Sequence, residues 1–266
     1  ATDRAPDFSD LVLQFRATNA DFRPAFDAGE DAPGLVRLQM TRGDHWVGPG
    51  AGDNLDLARA MLASLPNAPF LLSIQQEHLD TLVRGLAASP VSGDGDVAVV
   101  PHRAIVSQWA QDNMRPGLLT SAGQSGPVAL APRFPSRGDD GSVFVPGEHA
   151  MLRDLSRAGI RLLQSPLLFQ GGNIILTPDP ASPDGRLALI GEAEIARNVS
   201  LGLTPEQAIE AFRVEFAVDR VEVLPAVSYH LDYEVSLRVI SRRPGENPIV
   251  AAFVNDSRAA VLIMIE

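Results

Sequence analysis

The 266-residue chain contains no cysteine, and all 22 of its basic residues are arginine, because lysine is absent as well. Each absence removes chemistry. Without cysteine the chain supplies no thiol nucleophile, no thiolate metal site and no disulfide. Without lysine it forms no Schiff base and lacks the phosphate-binding residue of a P-loop. Long apolar runs are missing too. The longest uncharged one, Ala259 to Ile265, falls far short of the roughly 20 residues a membrane-spanning helix requires. Positive charge is scarce: 22 basic against 33 acidic residues give a net charge of -11, with no basic cluster longer than Arg242-Arg243. Such a field repels nucleic acid and anionic lipid and favours a cationic ligand, so neither a nucleic acid nor a membrane is an expected partner. The 45% apolar content is that of a globular chain long enough for one sizeable domain. A cytoplasmic location is the plain expectation. The chain begins at Ala1 rather than methionine, as it would after removal of a leader or other segment.

Apolar periodicity alternates between the period of a strand and that of a helix, in a recurring order. In a first unit, Phe70 to Ile74 reads as a strand, Glu77 to Leu86 as an amphipathic helix and Val97 to Val100 as a second strand. The polar segment WAQDNMRP follows at 109 to 116, then Gly117 to Thr120 and Val128 to Leu130 as a hairpin. In a second, a helix from Glu148 to Ala158 leads to the strand Arg161 to Gln164, the segment LLFQGGN at 167 to 173, and strands at Ile174 to Thr177 and Leu187 to Ile190. A third opens on Thr204 as N-cap with Pro205 at the first helical position, the helix running to Phe216. It continues with Val221 to Leu224, the segment SYHLDYE at 228 to 234, and the strands Val235 to Ile240 and Ile249 to Val254. Each unit is therefore helix, strand, polar motif, hairpin. Units arranged around an axis would turn the three motifs toward a common centre. The N-terminal part, with strand-like Leu11 to Phe15 and Val36 to Met40 and a helix from Asn54 to Leu65, has the content of a partial fourth unit.

The motifs carry the candidate chemistry. Asp112 lies between Gln111 and Asn113 and follows Trp109, a set suited to a planar cation: a carboxylate accepts two parallel hydrogen bonds from a guanidinium while an indole covers its flat face. The bland alternative is an aspartate that pairs with Arg115 or caps a turn. In SYHLDYE, read as extended, His230, Asp232 and Glu234 share one face and Leu231, Tyr233 and Val235 the other, so a proton-shuttling histidine stands beside a carboxylate. A His-x-Asp pair also begins the facial triad of non-haem iron sites, but no second histidine follows His230, which removes that reading. Gly171-Gly172-Asn173 permits close backbone approach, and Asn173 both donates and accepts. The glycosylation triplets at Asn198 and Asn255 are discounted as chance.

Taken in order, Trp-x-Gln-Asp at 109 to 112, Gly-Gly-Asn at 171 to 173 and His-x-Asp at 230 to 232 resemble the guanidine-modifying superfamily of pentein fold, most closely its peptidyl-arginine and agmatine deiminases. The resemblance implies an α/β propeller of repeated modules round a central channel, formed here by a single domain over residues 1–266 that lacks at least the last module. It implies hydrolysis of a guanidinium group to a ureido group with loss of ammonia, the substrate being an arginine-containing peptide or a small guanidinium compound. By the same resemblance Asp112 and Asp232 clamp the guanidinium nitrogens and His230 acts as general acid and base. Trp109, Gln111, Gln170 and Asn173 belong to the substrate pocket. Two departures matter. Gln170 stands where agmatine deiminases usually carry glutamate, and the attacking cysteine of the family, which belongs to its last module, is absent. The expectations are a chain that stops before that module, a second chain that supplies the cysteine, or a guanidinium-binding or scaffold protein without hydrolysis. Some related deiminases require calcium. The acidic stretch Gly138-Asp139-Asp140-Gly141 is no recognised calcium loop, and no metal or cofactor is expected.

Overall fold

A computed structural model describes residues 21–27, 35–40, 54–87, 96–103, 110–121, 123–133, 147–225 and 230–255. The expected strand at Leu11 to Phe15, the acidic stretch at 138–141 and the apolar stretch at 259–265 lie outside the described residues.

A three-stranded parallel sheet is built from β2 (Val36–Met40), β3 (Phe70–Gln75) and β4 (Val97–His102), with β3 in the middle. Phe70, Leu71, Leu72 and Ile74 are all buried, as expected for a central parallel strand covered on both faces. Helices α1 (Asn54–Ser64) and α2 (Leu79–Ala87) accompany it. Leu55 and Ala58 of the first and Leu82 of the second join Met40, Leu72 and Ile74 in one apolar cluster. The second sheet has the order β1 (Asp21–Pro24), β5 (Arg115–Ser121), β6 (Gln124–Ala131), β7 (Leu162–Gln164). Here β5 and β6 form an antiparallel hairpin, and β7, reached through α3 (Gly147–Arg157), runs parallel to β6. The third sheet repeats that plan. An antiparallel hairpin of β8 (Ile174–Pro178) and β9 (Arg186–Gly191) is followed by α4 (Glu192–Val199), α5 (Pro205–Glu215) and β10 (Arg220–Leu224), which runs parallel to β9. A last hairpin, β11 (Val235–Ser241) with β12 (Ile249–Val254), follows the helical turn α6 (Leu231–Glu234).

The expected order holds in all three units: α2, β4, segment 110–114, β5 and β6; α3, β7, segment 165–173, β8 and β9; α5, β10, segment 225–234, β11 and β12. Among the described residues the strands fall into four separate sheets, none closed on itself.

The largest core fills the space between the second and third sheets, where Phe22, Leu119, Leu130, Phe169, Leu176 and Ile190 meet Phe212 and Phe216 of the α5 region. Phe169 and Phe216 pack edge to face at 5.4 Å, a geometry aromatic pairs favour. Helix α5 begins as its sequence predicts: Thr204 Oγ1 accepts from the Gln207 amide, Gln207 Oε1 accepts from the Thr204 amide, and Pro205 occupies the first turn, a complete capping box. A second cluster, with Met151, Leu152 and Leu155 of α3 against Leu71, Met114, Ala129 and Ala131, joins the first sheet to the second. These two packings bring the segments after β4, β7 and β10 together.

Candidate active site

Each segment is held by buried polar contacts made by residues outside it. The turn that carries Asp112 is gripped by Arg37 of β2, which donates to the Ala110 carbonyl at 2.6 Å and to Asn113 Oδ1 at 2.9 Å. The segment before β8 is gripped by α4. Glu194, fully buried, accepts from the Gln170 amide at 3.2 Å and from Asn173 Nδ2 at 2.9 Å. Asn198, one helical turn on, accepts from the Leu168 amide at 3.1 Å and donates to the Leu168 carbonyl at 2.7 Å. Asn173 passes the constraint to the third segment, its Oδ1 accepting from the Leu231 amide at 3.0 Å.

The backbones approach so closely that Gly171 is required, and Gly172 leaves its space to the polar side-chain atoms around it. A Cβ on Gly171 would lie 1.8 Å from the Gln111 carbonyl oxygen, which no side chain tolerates. A Cβ on Gly172 would lie 2.8 Å from Asp232 Oδ2, 3.0 Å from His230 Nδ1 and 3.1 Å from Asp112 Oδ1. The three polar atoms, drawn from two segments far apart in sequence, thus converge on one point just above the Gly172 backbone. Asp112 Oδ1 also accepts from the Gly172 amide at 3.1 Å and lies 3.8 Å from His230 Nδ1. Asp112 and His230 are buried. Asp232 is the exposed member of the set.

The extended reading of SYHLDYE is corrected. His230 is extended (φ -141, ψ 150), but the chain then winds into α6, and Tyr233 N donates to the His230 carbonyl. Alternation therefore stops at His230, because successive helical residues are separated by about 100° rather than 180°. Asp232 faces Gly172, Leu231 is buried and Tyr233 is 48% exposed. Its ring stacks on His230 at 6.4 Å. Glu234, expected on the same face as His230 and Asp232, instead offers its carbonyl to the Asn255 amide.

Gln170 sits behind the histidine: its Oε1 accepts from Arg197 at 2.7 Å and lies 3.1 Å from His230 Nε2. Gln111 contributes its carbonyl oxygen against Gly171, its side chain being exposed. Trp109 and Tyr229 lie outside the described residues. Arg115 does not pair with Asp112. Its guanidinium is buried against the Asp27 carboxylate and the Gly171 carbonyl, and Asp27 also accepts from the Leu176 amide.

Burial, aided by the Arg197 charge, lowers the His230 pKa to about 4, so the ring is neutral at pH 7. Although the residue is exposed as a whole, desolvation of its carboxyl end beside Gly172 pushes the Asp232 carboxyl upward, with the Arg115 cation opposing. A guanidinium cation at the point above Gly172 would meet two carboxylate oxygens and a neutral imidazole nitrogen. No group of three or more His, Cys, Asp or Glu side chains among the described residues could hold a metal ion.

Sequence reasoning missed Asp27, Arg37, Glu194 and Arg197, and discounted Asn198 along with its triplet. Asn198 is indeed fully buried, out of reach of glycosylation. A signal was present: Glu194, Arg197 and Asn198 are spaced three and four apart, which places them on one helical face.

No family model and no curated protein sequence matches the chain. Solved structures do. An agmatine deiminase of Enterococcus faecalis superposes with TM-score 0.56 at 16% identity, over 80% of this chain and 57% of that one. The agmatine deiminase of C. jejuni gives 0.58 at 13% identity, over 86% and 63%. Its cysteine-to-serine variant with substrate bound gives 0.60 at 13%, over 86% and 65%. The chain thus spans from 57% to 65% of the length of these solved chains. Over these shares its fold is similar to that of the agmatine deiminases, the pentein fold.

Proposed function

We propose that the chain supplies the guanidinium-binding and proton-handling part of a deiminase-type hydrolase, which converts a guanidinium group to a ureido group and releases ammonia. The observation that carries the reading is the convergence of Asp112 Oδ1, His230 Nδ1 and Asp232 Oδ2 over Gly172. Two carboxylates there bind the delocalised cation and hold its nitrogens in place. They also concentrate a cationic substrate, which the net charge of -11 favours.

In the proposed reaction a thiolate adds to the guanidinium carbon and ammonia departs, leaving a thiouronium. Water then adds to the same carbon and the thiolate leaves, which yields the ureido product. His230, neutral at pH 7, takes the proton released as the thiol becomes the attacking thiolate and supplies it to the departing nitrogen; it then takes a proton from the attacking water and returns it to the leaving sulfur, the water's second proton passing to the released ammonia. The thiol comes from outside these 266 residues, which contain no cysteine: from a further segment of the same protein or from a second chain. The substrate is an arginine-containing peptide or a small guanidinium compound. Gln170 in place of a carboxylate argues against a small free diamine-type guanidine.

A second reading, guanidinium binding without hydrolysis in the same fold, is favoured by the missing thiol alone. Titration calorimetry with N-acetyl-arginine amide and with agmatine, together with a colorimetric ureido assay, separates the two. The proposal predicts binding that falls at least about tenfold in Asp112→Asn and in Asp232→Asn, since each removes one charged hydrogen bond. It predicts ureido product only when a cysteine-bearing segment completes the site. Affinity unchanged by both substitutions overturns it, and a completed assembly that binds but forms no product favours the second reading.

A further inference from the structure

We infer that Arg197 is a positioning residue which, through the Gln170 amide, locks His230 in the tautomer with its proton on Nε2 and leaves Nδ1 as the nitrogen that works over Gly172. A guanidinium only donates hydrogen bonds. The Gln170 atom 2.7 Å from Arg197 NH2 is therefore the carbonyl oxygen, and the amide is fixed in that orientation. The same oxygen lies 3.1 Å from His230 Nε2, and an oxygen so placed is met by an N–H. Nδ1 points the other way, 3.8 Å from Asp112 Oδ1 and 3.0 Å from the point above Gly172. The tautomer is thus set from behind the ring, and the lone pair faces the substrate side.

The charges around the ring act in a definite sense. Arg197 behind Gln170 opposes an imidazolium, and so does burial. Asp112 and Asp232 stand on the Nδ1 side and favour one, with Arg115 partly offsetting Asp232. Fully buried Glu194, 3.9 Å from Arg197 Nε, keeps the guanidinium in place. An amide held by a cation sets a neutral oxygen rather than a carboxylate against His230 Nε2, which favours the neutral ring. A carboxylate at position 170 would reverse this.

The inference rests on reading His230 as the proton-handling group of the site, but its test observes the ring itself and needs no turnover. Long-range proton–nitrogen NMR spectra of the chain labelled with 15N-histidine, with His230→Gln to assign the resonances, report tautomer and titration together. The expected spectrum has a protonated Nε2 and a lone-pair Nδ1, unchanged from about pH 8 down to about pH 5.5. In Arg197→Met the Gln170 amide is free to turn, so the Nδ1–H form appears and the titration midpoint rises by about one unit or more. Arg197→Lys, which keeps a donor and a charge, restores the Nε2–H form, and Gln170→Glu raises the midpoint with Arg197 intact. A wild-type ring with its proton on Nδ1 overturns the inference, as does an Arg197→Met spectrum identical to wild type. Should Arg197→Met not fold, the wild-type and Gln170→Glu spectra decide alone.

Discussion

Gly172 and Gly171 are neighbours with opposite consequences. A methyl on Gly172 meets the ends of three side chains, whereas one on Gly171 meets the backbone of Gln111. Side-chain ends yield and backbone does not. Gly172→Ala is therefore expected to fold with a melting temperature near wild type and to lose guanidinium affinity at least about tenfold by calorimetry. Gly171→Ala should lose about 3 kcal/mol of stability or more in chemical denaturation, because the segments after β4 and β7 must move apart. His230 adds a pH term. Its folded value of about 4 lies below the ordinary 6.5, so within that interval the unfolded chain binds a proton that the folded chain does not. The contribution is complete above about pH 6.5 and is lost as the pH falls toward 4. It amounts to about 3 kcal/mol. Urea denaturation at pH 7 and pH 4.5 checks it: His230→Gln should lose less stability on acidification than wild type.

Helices α4 and α5 stand next to each other, yet only α4 touches the site. Glu194→Ala leaves the Gln170 amide and Asn173 Nδ2 without their acceptor in a buried setting, a loss of about 3 kcal/mol, and ligand affinity falls with it. The end of α5 offers a contrasting test. Ala217 there adopts φ 47, a left-handed conformation that costs a residue with a Cβ about 1 kcal/mol relative to glycine. Ala217→Gly should raise the melting temperature and leave guanidinium binding unchanged. The two helices also show what the sequence made legible. Thr204, Pro205 and Gln207 announce α5 through local capping chemistry that the structure reproduces. Helix α4 has no such signal: Gly191 is its N-cap, without a side-chain bond, and its buried Glu194 and Asn198 resemble surface residues in composition. Their role is set by contacts with residues 168 to 173, which only the folded chain brings near. The same reason explains α6. The alternation in SYHLDYE was read as local, whereas the Leu231 amide is held by Asn173, and a long-range bond fixed the turn.

Across the whole molecule, the order helix, strand, motif, hairpin was readable because strand and helix periods are local properties, and each hairpin and its following parallel strand obey it. Convergence of the motifs was readable only as a consequence of repetition, since nothing local to WAQDNMRP or SYHLDYE encodes the other. Invisible from sequence was the framework of charged residues, Arg37, Arg115 with Asp27, and Glu194 with Arg197, that holds the segments from behind. The central claim is that these supports assemble a guanidinium site over Gly172. Amide spectra of the 15N-labelled chain titrated with N-acetyl-arginine amide, and separately with its uncharged ureido analogue, test it most directly. The Gly172 amide, bonded to Asp112, and the Leu231 amide, at the start of α6, should shift with the cation, saturably, and not with the neutral analogue. Equal response to both ligands, or saturable shifts confined to residues away from 110–114, 170–173 and 230–232, would contradict the account.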